Sequence, residues 1–417
     1  MRKITVVLAA LLLFGAASAA QAKRPRPSEV PGAQTTIAPN GLQLYNDYPS
    51  PERVYASDRV VVHYVVLGID APPLNDDDGD AVPDYVERVA DAADRALAYY
   101  ESRGFRAPLP DSGGPDSRPD LYVSRFTPGT LGVAFPAADA DGGGFVVVAN
   151  NLDPSAEQSF ASLYATVAHE VFHLVQFAYF ANGAEPILPA WILEGTASGL
   201  EGRVYPELDD IVTSLQLRRW FAATQVPITQ QSYGAQLLWT YLDRTRPRLL
   251  PLLLERLGAH PAPGERLHLV RSTFAQVAGA PFAPAFDRFA LTLAADHASD
   301  VEPFFDLRPR TTREAVIAPL AVQLVRPALP RRATYVLTVT FPSGRGSASA
   351  ALTYELENET PGQPAASGRI TGRWSDGRRT VAFVVPRALR IDPRLSTMRL
   401  VLSNGGARRV AYVVSAR

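Results

Sequence analysis

Two histidines and a glutamate stand at a spacing that can activate water on a metal ion. In "AHEVFHLVQF", His169 and His173 are four residues apart, with Glu170 directly after the first histidine. On a helix, residues i and i+4 share one face, so both imidazoles can hold one zinc ion, and the glutamate can take a proton from water. The alternative is a core helix whose histidines are hydrogen-bonded, because five-residue patterns also arise by chance.

A third ligand is expected downstream, because catalytic zinc takes three protein ligands and keeps one position open. The stretch "PAWILEGTASGLEGRVY" predicts a helix that carries Glu194 among apolar and small residues. A carboxylate in that setting needs a partner, and a metal ion supplies one. Glu201 lies two turns further along the same face, where it either orients a ligating imidazole or ends the helix in solvent.

The pair of motifs resembles the gluzincin zinc peptidases, most closely the aminopeptidase-N-like pattern. The resemblance implies zinc on His169, His173 and Glu194, with Glu170 as general base. It also implies that Glu201 supports the ligands. Because those aminopeptidases bind a free amine with a G-x-M-E-N segment and the only methionines here are Met1 and Met398, we expect an endopeptidase.

Tyr233 in "QSYGAQLLWTYL" is similar to the tyrosine that those enzymes place after the third ligand. It is a candidate donor to a developing oxyanion, and a core tyrosine is the alternative. The strand "GGGFVVVANN", residues 142–151, is a candidate edge for pairing with an extended peptide. A strand buried within the sheet is the alternative there.

An acidic loop precedes these helices. "DDDGDAVPDYVE" places acidic residues at the ligand positions of an EF-hand-type calcium loop, with a carbonyl at the seventh position. Ala81 stands where such loops carry glycine. The sequence therefore predicts a structural calcium ion, and the alternative is a solvated acidic turn; the predicted ligands are Asp76, Asp78, Asp80, Val82, Asp84 and Glu87.

The order of acidic loop, A-H-E-x-F-H-x-x-Q helix and W-x-x-E-G-x-A helix resembles a family of secreted bacterial zinc metalloproteases. The resemblance spans residues 58–300. It implies an α+β fold with a zincin-like metallopeptidase domain over residues 58–318, made of N-terminal strands and a mainly helical C-terminal part. Short strands separated by turns predict a small all-β, sandwich-like domain over residues 319–417.

Residues 1–22 have the pattern of a secretory signal peptide: "MRK", an apolar run and the small-x-small site "AQA". Residues 23–57 are expected to form an extended lead-in. The chain has no cysteine and a net charge of −1, so we expect no disulfides and no nucleic-acid partner. Because no second run of about 20 apolar residues follows the first, we also expect no stable membrane insertion after cleavage. The predicted protein is secreted or periplasmic and acts on peptides or proteins. The alternative function is a catalytically silent extracellular binding protein on a peptidase fold.

Overall fold

The computed structural model describes the chain in segments. They are residues 35–37 and 43–46, for the backbone only, and residues 51–110, 115–126, 130–136, 143–152, 163–180, 188–208, 217, 220–259, 265–296, 303–330, 334–358, 366–375, 377 and 379–417. The predicted signal peptide and most of the lead-in lie outside these residues. Within them, no helix has the length and apolar character needed to cross a membrane.

The chain divides into two compact units. The first comprises residues 1–214 and 242–270, and the second comprises residues 215–241 and 271–417. The boundary expected at residue 318 therefore differs from this division, because α7 (Phe282–Asp296) packs on strands that follow it in the chain. The chain contains both helices and sheets, as predicted.

A five-stranded mixed sheet forms the base of the first unit. Its strand order is β3-β4-β5-β7-β6, in which β4, β5 and β7 are parallel and both edge strands are antiparallel. The buried strands are rich in valine, as expected for strands covered on both faces. The strands are β3 (Arg53–Ala56), β4 (Val61–Tyr64), β5 (Asp120–Ser124), β6 (Gly132–Phe135) and β7 (Phe145–Ala149). A separate hairpin pairs β1 (Thr35–Ile37) with β2 (Gln43–Asn46).

Three helices of the first unit place the histidine motif against this sheet. They are α1 (Asp84–Ser102), α2 (Leu163–Phe177) and α3 (Ala190–Val204). α2 contacts α1, α3, β6 and β7. Phe172 packs its ring against Tyr100 and Phe105 at centroid distances of 4.9 and 5.2 Å, and the Tyr100 hydroxyl donates to the Ala168 carbonyl over 2.9 Å. These contacts fix the rotation of α2 about its axis.

The remaining helices follow α3 in the chain. They are α4 (Gln236–Thr245), α5 (Leu249–Ala259), α6 (Arg266–Ala278), α7, and the short α8 (Arg387–Ile391). α4 and α6 each cross from one compact unit to the other. The histidine helix and the helix of Glu194, both predicted from the sequence, correspond to α2 and α3.

The second unit contains two five-stranded sheets, ordered β13-β12-β16-β10-β8 and β14-β15-β11-β17-β9. Alternating side chains from both sheets form one apolar core, which includes Leu337, Val381, Leu400 and Tyr412. The strands are β8 (Phe305–Leu307), β9 (Thr312–Ile317), β10 (Ala321–Pro327), β11 (Tyr335–Thr340), β12 (Ala348–Leu356), β13 (Ala366–Ile370), β14 (Arg373–Ser375), β15 (Thr380–Val385), β16 (Leu395–Asn404) and β17 (Val410–Ala416).

Candidate metal centre

His169, His173 and Glu194 converge in the first unit. One possible ligand atom from each lies within 4.8 Å of the other two. The Oε2 atom of Glu194 is 3.2 Å from His169 Nε2 and 3.8 Å from His173 Nε2. Ligand atoms about 2.0–2.2 Å from a tetrahedral zinc ion stand roughly 3.3–3.6 Å apart. The residues therefore fit zinc in both donor type and spacing.

The other nitrogen of each imidazole has a partner. His169 Nδ1 lies 2.8 Å from Glu201 Oε1 and 3.1 Å from Ser198 Oγ, and His173 Nδ1 lies 2.7 Å from Gln176 Oε1. Partners of this kind select the tautomer that keeps the Nε2 lone pair available to a metal. Glu201 therefore contacts His169. The family resemblance predicted that Glu201 supports a metal ligand in this way.

A chain of hydrogen bonds fixes the orientation of the Gln176 amide. Its Nε2 donates to the Leu193 carbonyl over 3.0 Å and to Thr196 Oγ1 over 2.8 Å. Thr196 Oγ1 in turn donates to the Ile192 carbonyl over 2.7 Å. Because both carbonyls can only accept, the Gln176 Oε1 atom must face His173 and accept its Nδ1–H. This relay joins α2 to the turn of α3 that carries Glu194.

The two histidines have opposite pKa shifts. Burial dominates at His173 and lowers its pKa to about 4, so its imidazole is neutral, as a metal ligand must be. Burial also acts against protonation of His169, but its bonds with Glu194 and Glu201 hold its pKa well above the ordinary value. In the metal-free arrangement, a proton on His169 therefore neutralises part of the carboxylate charge around it.

Glu170 is buried beside the ligands, with 8% of its surface exposed. Burial raises its pKa to about 7, and the nearby charge of Glu194 adds to the rise, while His169 and the Ala134 backbone N–H oppose it. A carboxyl with a pKa near neutrality can both accept and release a proton at that pH. Glu170 is therefore suited to the general-base role that the sequence predicted.

β6, rather than β7, is the edge strand beside this site. β7 pairs with β5 on one side and β6 on the other, so the expectation that residues 142–151 offer an edge to a peptide is wrong. β6 passes so close to α2 that a Cβ atom on Gly132 would lie 2.7 Å from Glu170 Cγ. This strand was hard to predict from the sequence, because it has only four residues, one of them glycine.

The acidic loop brings Asp76, Asp78 and Asp80 within 4.8 Å of one another. Gly79 and Ala81 have φ angles of +79° and +73°, so alanine takes the left-handed conformation at the position where EF-hand loops use glycine. The Asp76 carboxylate accepts the N–H groups of Gly79, Asp80 and Ala81. The expected loop geometry is present around these three carboxylates.

The other three predicted calcium ligands adjoin the cluster. Asp84 begins α1, and its Oδ1 accepts the Asp77 N–H over 2.9 Å. The pKa of Glu87 is raised, through slight desolvation and through the charges of acidic neighbours that include Asp78 and Asp80. Val82 donates its N–H to Asp80 Oδ1 over 2.8 Å. All six predicted residues thus belong to one loop and the first turn of α1.

Tyr233 lies in the second unit, at the start of a 3-10 turn over Tyr233–Ala235 that leads into α4. Its proposed role toward an oxyanion stays a prediction. Sequence reasoning missed two residues that contact the histidines, Gln176 and Ser198. Their positions carried a signal, since Gln176 is three residues after His173 and Ser198 precedes Glu201 by three, each one helical turn from its neighbour.

No protein-family model matches the chain, and no curated protein matches it. Among solved structures, the chain is similar to the pre-peptidase C-terminal domain of a collagenase from Bacillus anthracis. The sequence identity is 13%, the match covers 28% of this chain and 97% of that one, and the TM-score is 0.18. A likeness at this level carries no argument for fold or function.

Proposed function

We propose that the protein is a secreted zinc-dependent metallopeptidase, and that it acts as an endopeptidase. The observation that carries the proposal is the convergence of His169, His173 and Glu194 beside the buried Glu170. Two helices place three zinc-type ligands at matching distances. When bound, zinc would supply Lewis acidity toward water and the substrate carbonyl.

Different residues would bind the metal ion, orient its ligands and transfer the proton during hydrolysis. His169, His173 and Glu194 would hold the ion, with Glu201 and Gln176 orienting the two imidazoles. Glu170 takes the proton of the attacking water at a carboxylate oxygen and then gives it to the leaving amine. Its pKa of about 7 suits both transfers. Tyr233 remains a candidate for steadying the oxyanion.

The outer edge of β6, which pairs with no other described strand, supports a peptide substrate. Leu131 accepts the Ala149 N–H across the pair of strands, and backbone groups alternate in direction along a strand. Gly132 and Ala134 therefore direct their N–H and C=O groups away from β7, beside Glu170. The Ala134 N–H bonds Glu170, so the groups that face a peptide are the Gly132 N–H and the two carbonyls. An extended peptide can pair with these groups and bring its carbonyl toward the general base.

Metal analysis and casein cleavage test the proposal. We expect about one zinc ion per chain in the wild type and in Glu170→Gln, with cleavage lowered at least about a hundredfold in the variant. Glu194→Ala should lose both zinc and activity. Equal cleavage by wild type and Glu170→Gln would refute the mechanism, and so would a wild type without zinc. Zinc binding without cleavage of a broad peptide library would favour the silent binding protein.

We also propose a structural calcium ion in the acidic loop, held by Asp76, Asp78 and Asp80 with Asp84, Glu87 and the Val82 carbonyl. Uncompensated carboxylates this close repel one another, and a divalent cation removes that repulsion. Calcium titration should show binding to the wild type that Asp78→Asn weakens at least about tenfold. Identical calcium affinities of the two proteins would contradict the assignment.

A further inference from the structure

The two compact units carry opposite charges, which the net charge of the whole chain conceals. The second unit, residues 215–241 and 271–417, has 22 arginines against 11 acidic residues, a net charge of +11. The first unit has 19 basic and 31 acidic residues, a net charge of −12. A charge of this size on one unit favours association with a polyanion.

One face of the second unit is open. α7 packs on β12, β13 and β16 and covers the outer face of that sheet. On the opposite sheet, β11 alternates buried and half-buried residues, so Val336, Thr338 and Thr340 point outward. Val316 on β9 and Val384 on β15 are 49% and 52% exposed. We call this outward side of β14-β15-β11-β17-β9 the open face.

Neutral side chains occupy the centre of the open face. Strand register sets Ala382, Thr338 and Ser415 side by side across the three inner strands. The next row contains Thr380, Thr340 and Val413. The Thr340 and Thr380 hydroxyls lie 3.3 Å apart. The three inner strands therefore offer hydroxyl and methyl groups in these two rows. Charged residues flank the rows on the edge strands, with Arg373 beside Ala382 and Glu314 beside Val413.

Exposed arginines border the open face at both ends of its strands. Antiparallel pairing places the starts of β15 and β17 beside the end of β11, and the ends of β15 and β17 beside its start. At the first end the bordering arginines are Arg379, Arg408 and Arg409, and at the second end Arg310, Arg387 and Arg417. These bordering arginines form no ion pair within the described residues. The ends are on the order of 20 Å apart, the length of a seven-residue strand.

We propose that the open face binds an acidic polysaccharide, a polymer that carries carboxylates along a chain of sugar hydroxyls. Guanidinium groups pair with carboxylates in a two-pronged geometry, and the threonine and serine hydroxyls between them meet sugar hydroxyls. Because the two arginine groups are on the order of 20 Å apart, a polymer can contact both, whereas a single sugar cannot. Among the described residues, the outward positions of β15, β11 and β17 carry none of the aromatic rings on which single-stranded nucleic acids stack.

Binding of the full chain to polygalacturonate tests the proposal, with dextran, duplex DNA and phosphatidylglycerol vesicles as the other probes. We expect binding to polygalacturonate that weakens as salt rises, and no binding to dextran. Preferential binding to the duplex or to the vesicles would overturn the choice of polysaccharide. Failure to bind any of the four probes would contradict the proposal that the open face is a binding site.

Variants locate the binding on the chain. The triple change Arg379→Gln, Arg408→Gln and Arg409→Gln should weaken polygalacturonate binding at least about tenfold, the effect of losing three ion pairs. Ser415→Glu, which puts a carboxylate at the centre of the face, should also weaken it. A matched triple removes the same charge from the first unit and should leave binding unchanged: Arg59→Gln, Arg88→Gln and Arg95→Gln, all exposed in the structure. Equal losses from both triples would refute the location.

Discussion

At the residue scale, the candidate metal centre depends on side chains that hold the proposed ligands in place. His169 has two partners at Nδ1, and His173 has one. The types and spacing of the ligands were readable from the sequence, because helical periodicity alone brings residues i and i+4 together. The hydrogen-bond relay through Gln176 could not be predicted from the sequence, because it depends on where the Leu193 and Ile192 carbonyls lie once α3 has packed on α2.

Replacing Gln176 should disturb zinc affinity before it disturbs the fold. Gln176→Leu keeps the volume but leaves His173 Nδ1 without its acceptor, so zinc affinity should fall about 10- to 100-fold. Gln176→Glu keeps the acceptor and should retain much of the affinity. Zinc affinity is measured by competition with a chromogenic chelator, and thermal unfolding of the metal-free proteins is the control. Equal zinc affinities of Gln176→Leu and the wild type would show that the relay does not position the ligand.

His63 forms a second buried histidine site in the first unit, away from the metal ligands. Its ring stacks on Tyr122 at 4.3 Å, its Nε2 lies 3.1 Å from Asp120 Oδ1, and its Nδ1 contacts Glu52. Burial acts to lower the pKa of His63, but the hydrogen bonds with Asp120 and Glu52 outweigh it and raise the pKa to about 8. The sequence alone could not show the two acidic partners, because Glu52 and Asp120 lie 11 and 57 residues away along the chain.

This cluster should make the first unit sensitive to alkaline pH. The folded pKa of about 8 exceeds the unfolded value of 6.5, so the stabilisation is complete below pH 6.5 and is lost as pH rises through 8. The difference corresponds to about 2 kcal/mol. Urea unfolding at pH 6 and pH 9 should show this loss in the wild type and a smaller one in His63→Gln. The same pH dependence in both proteins would remove His63 as its source.

At the element scale, the proposed binding of a peptide at the candidate metal centre depends on the position of β6. The longer strands and α1, α2 and α3 were predictable because their apolar residues repeat with clear periods. β6 was not, because four residues show too little alternation and the strand is identified only by its pairing with β7. The close approach of Gly132 to Glu170 is likewise a tertiary feature.

A side chain at residue 132 should separate catalysis from metal binding. In Gly132→Ala, the new Cβ would lie 2.7 Å from Glu170 Cγ and 3.1 Å from Thr166 Cγ2, so either β6 or the carboxylate must move. We expect unchanged zinc content and casein cleavage lowered about tenfold or more, since small displacements of a catalytic group are costly. A Gly132→Ala protein with full activity would show that the approach of β6 is not needed for turnover.

At the scale of the whole molecule, the candidate metal sites and the basic surface lie in different units. Both metal sites identified among the described residues belong to the first unit, and the open face belongs to the second. The sequence predicted a division at residue 318 between a helical region and a strand-rich region, whereas the compact units divide the chain elsewhere. It could not place α7 with the strands, because that assignment depends on packing against β12, β13 and β16.

Removal of metal by a chelator should therefore destabilise the first unit and leave the stability of the second unit unchanged. A ligand that binds only the folded state at about 100 times its dissociation constant stabilises that state by about 2.7 kcal/mol, which in a unit of this size corresponds to roughly 5–10 °C in Tm. Calorimetry with a chelator should lower one unfolding transition by this amount and leave the other unchanged. Asp120→Asn, which removes a partner of the buried His63 in the first unit, should lower the same transition. A chelator that shifts both transitions equally, or neither, would contradict the confinement of structural metal to the first unit.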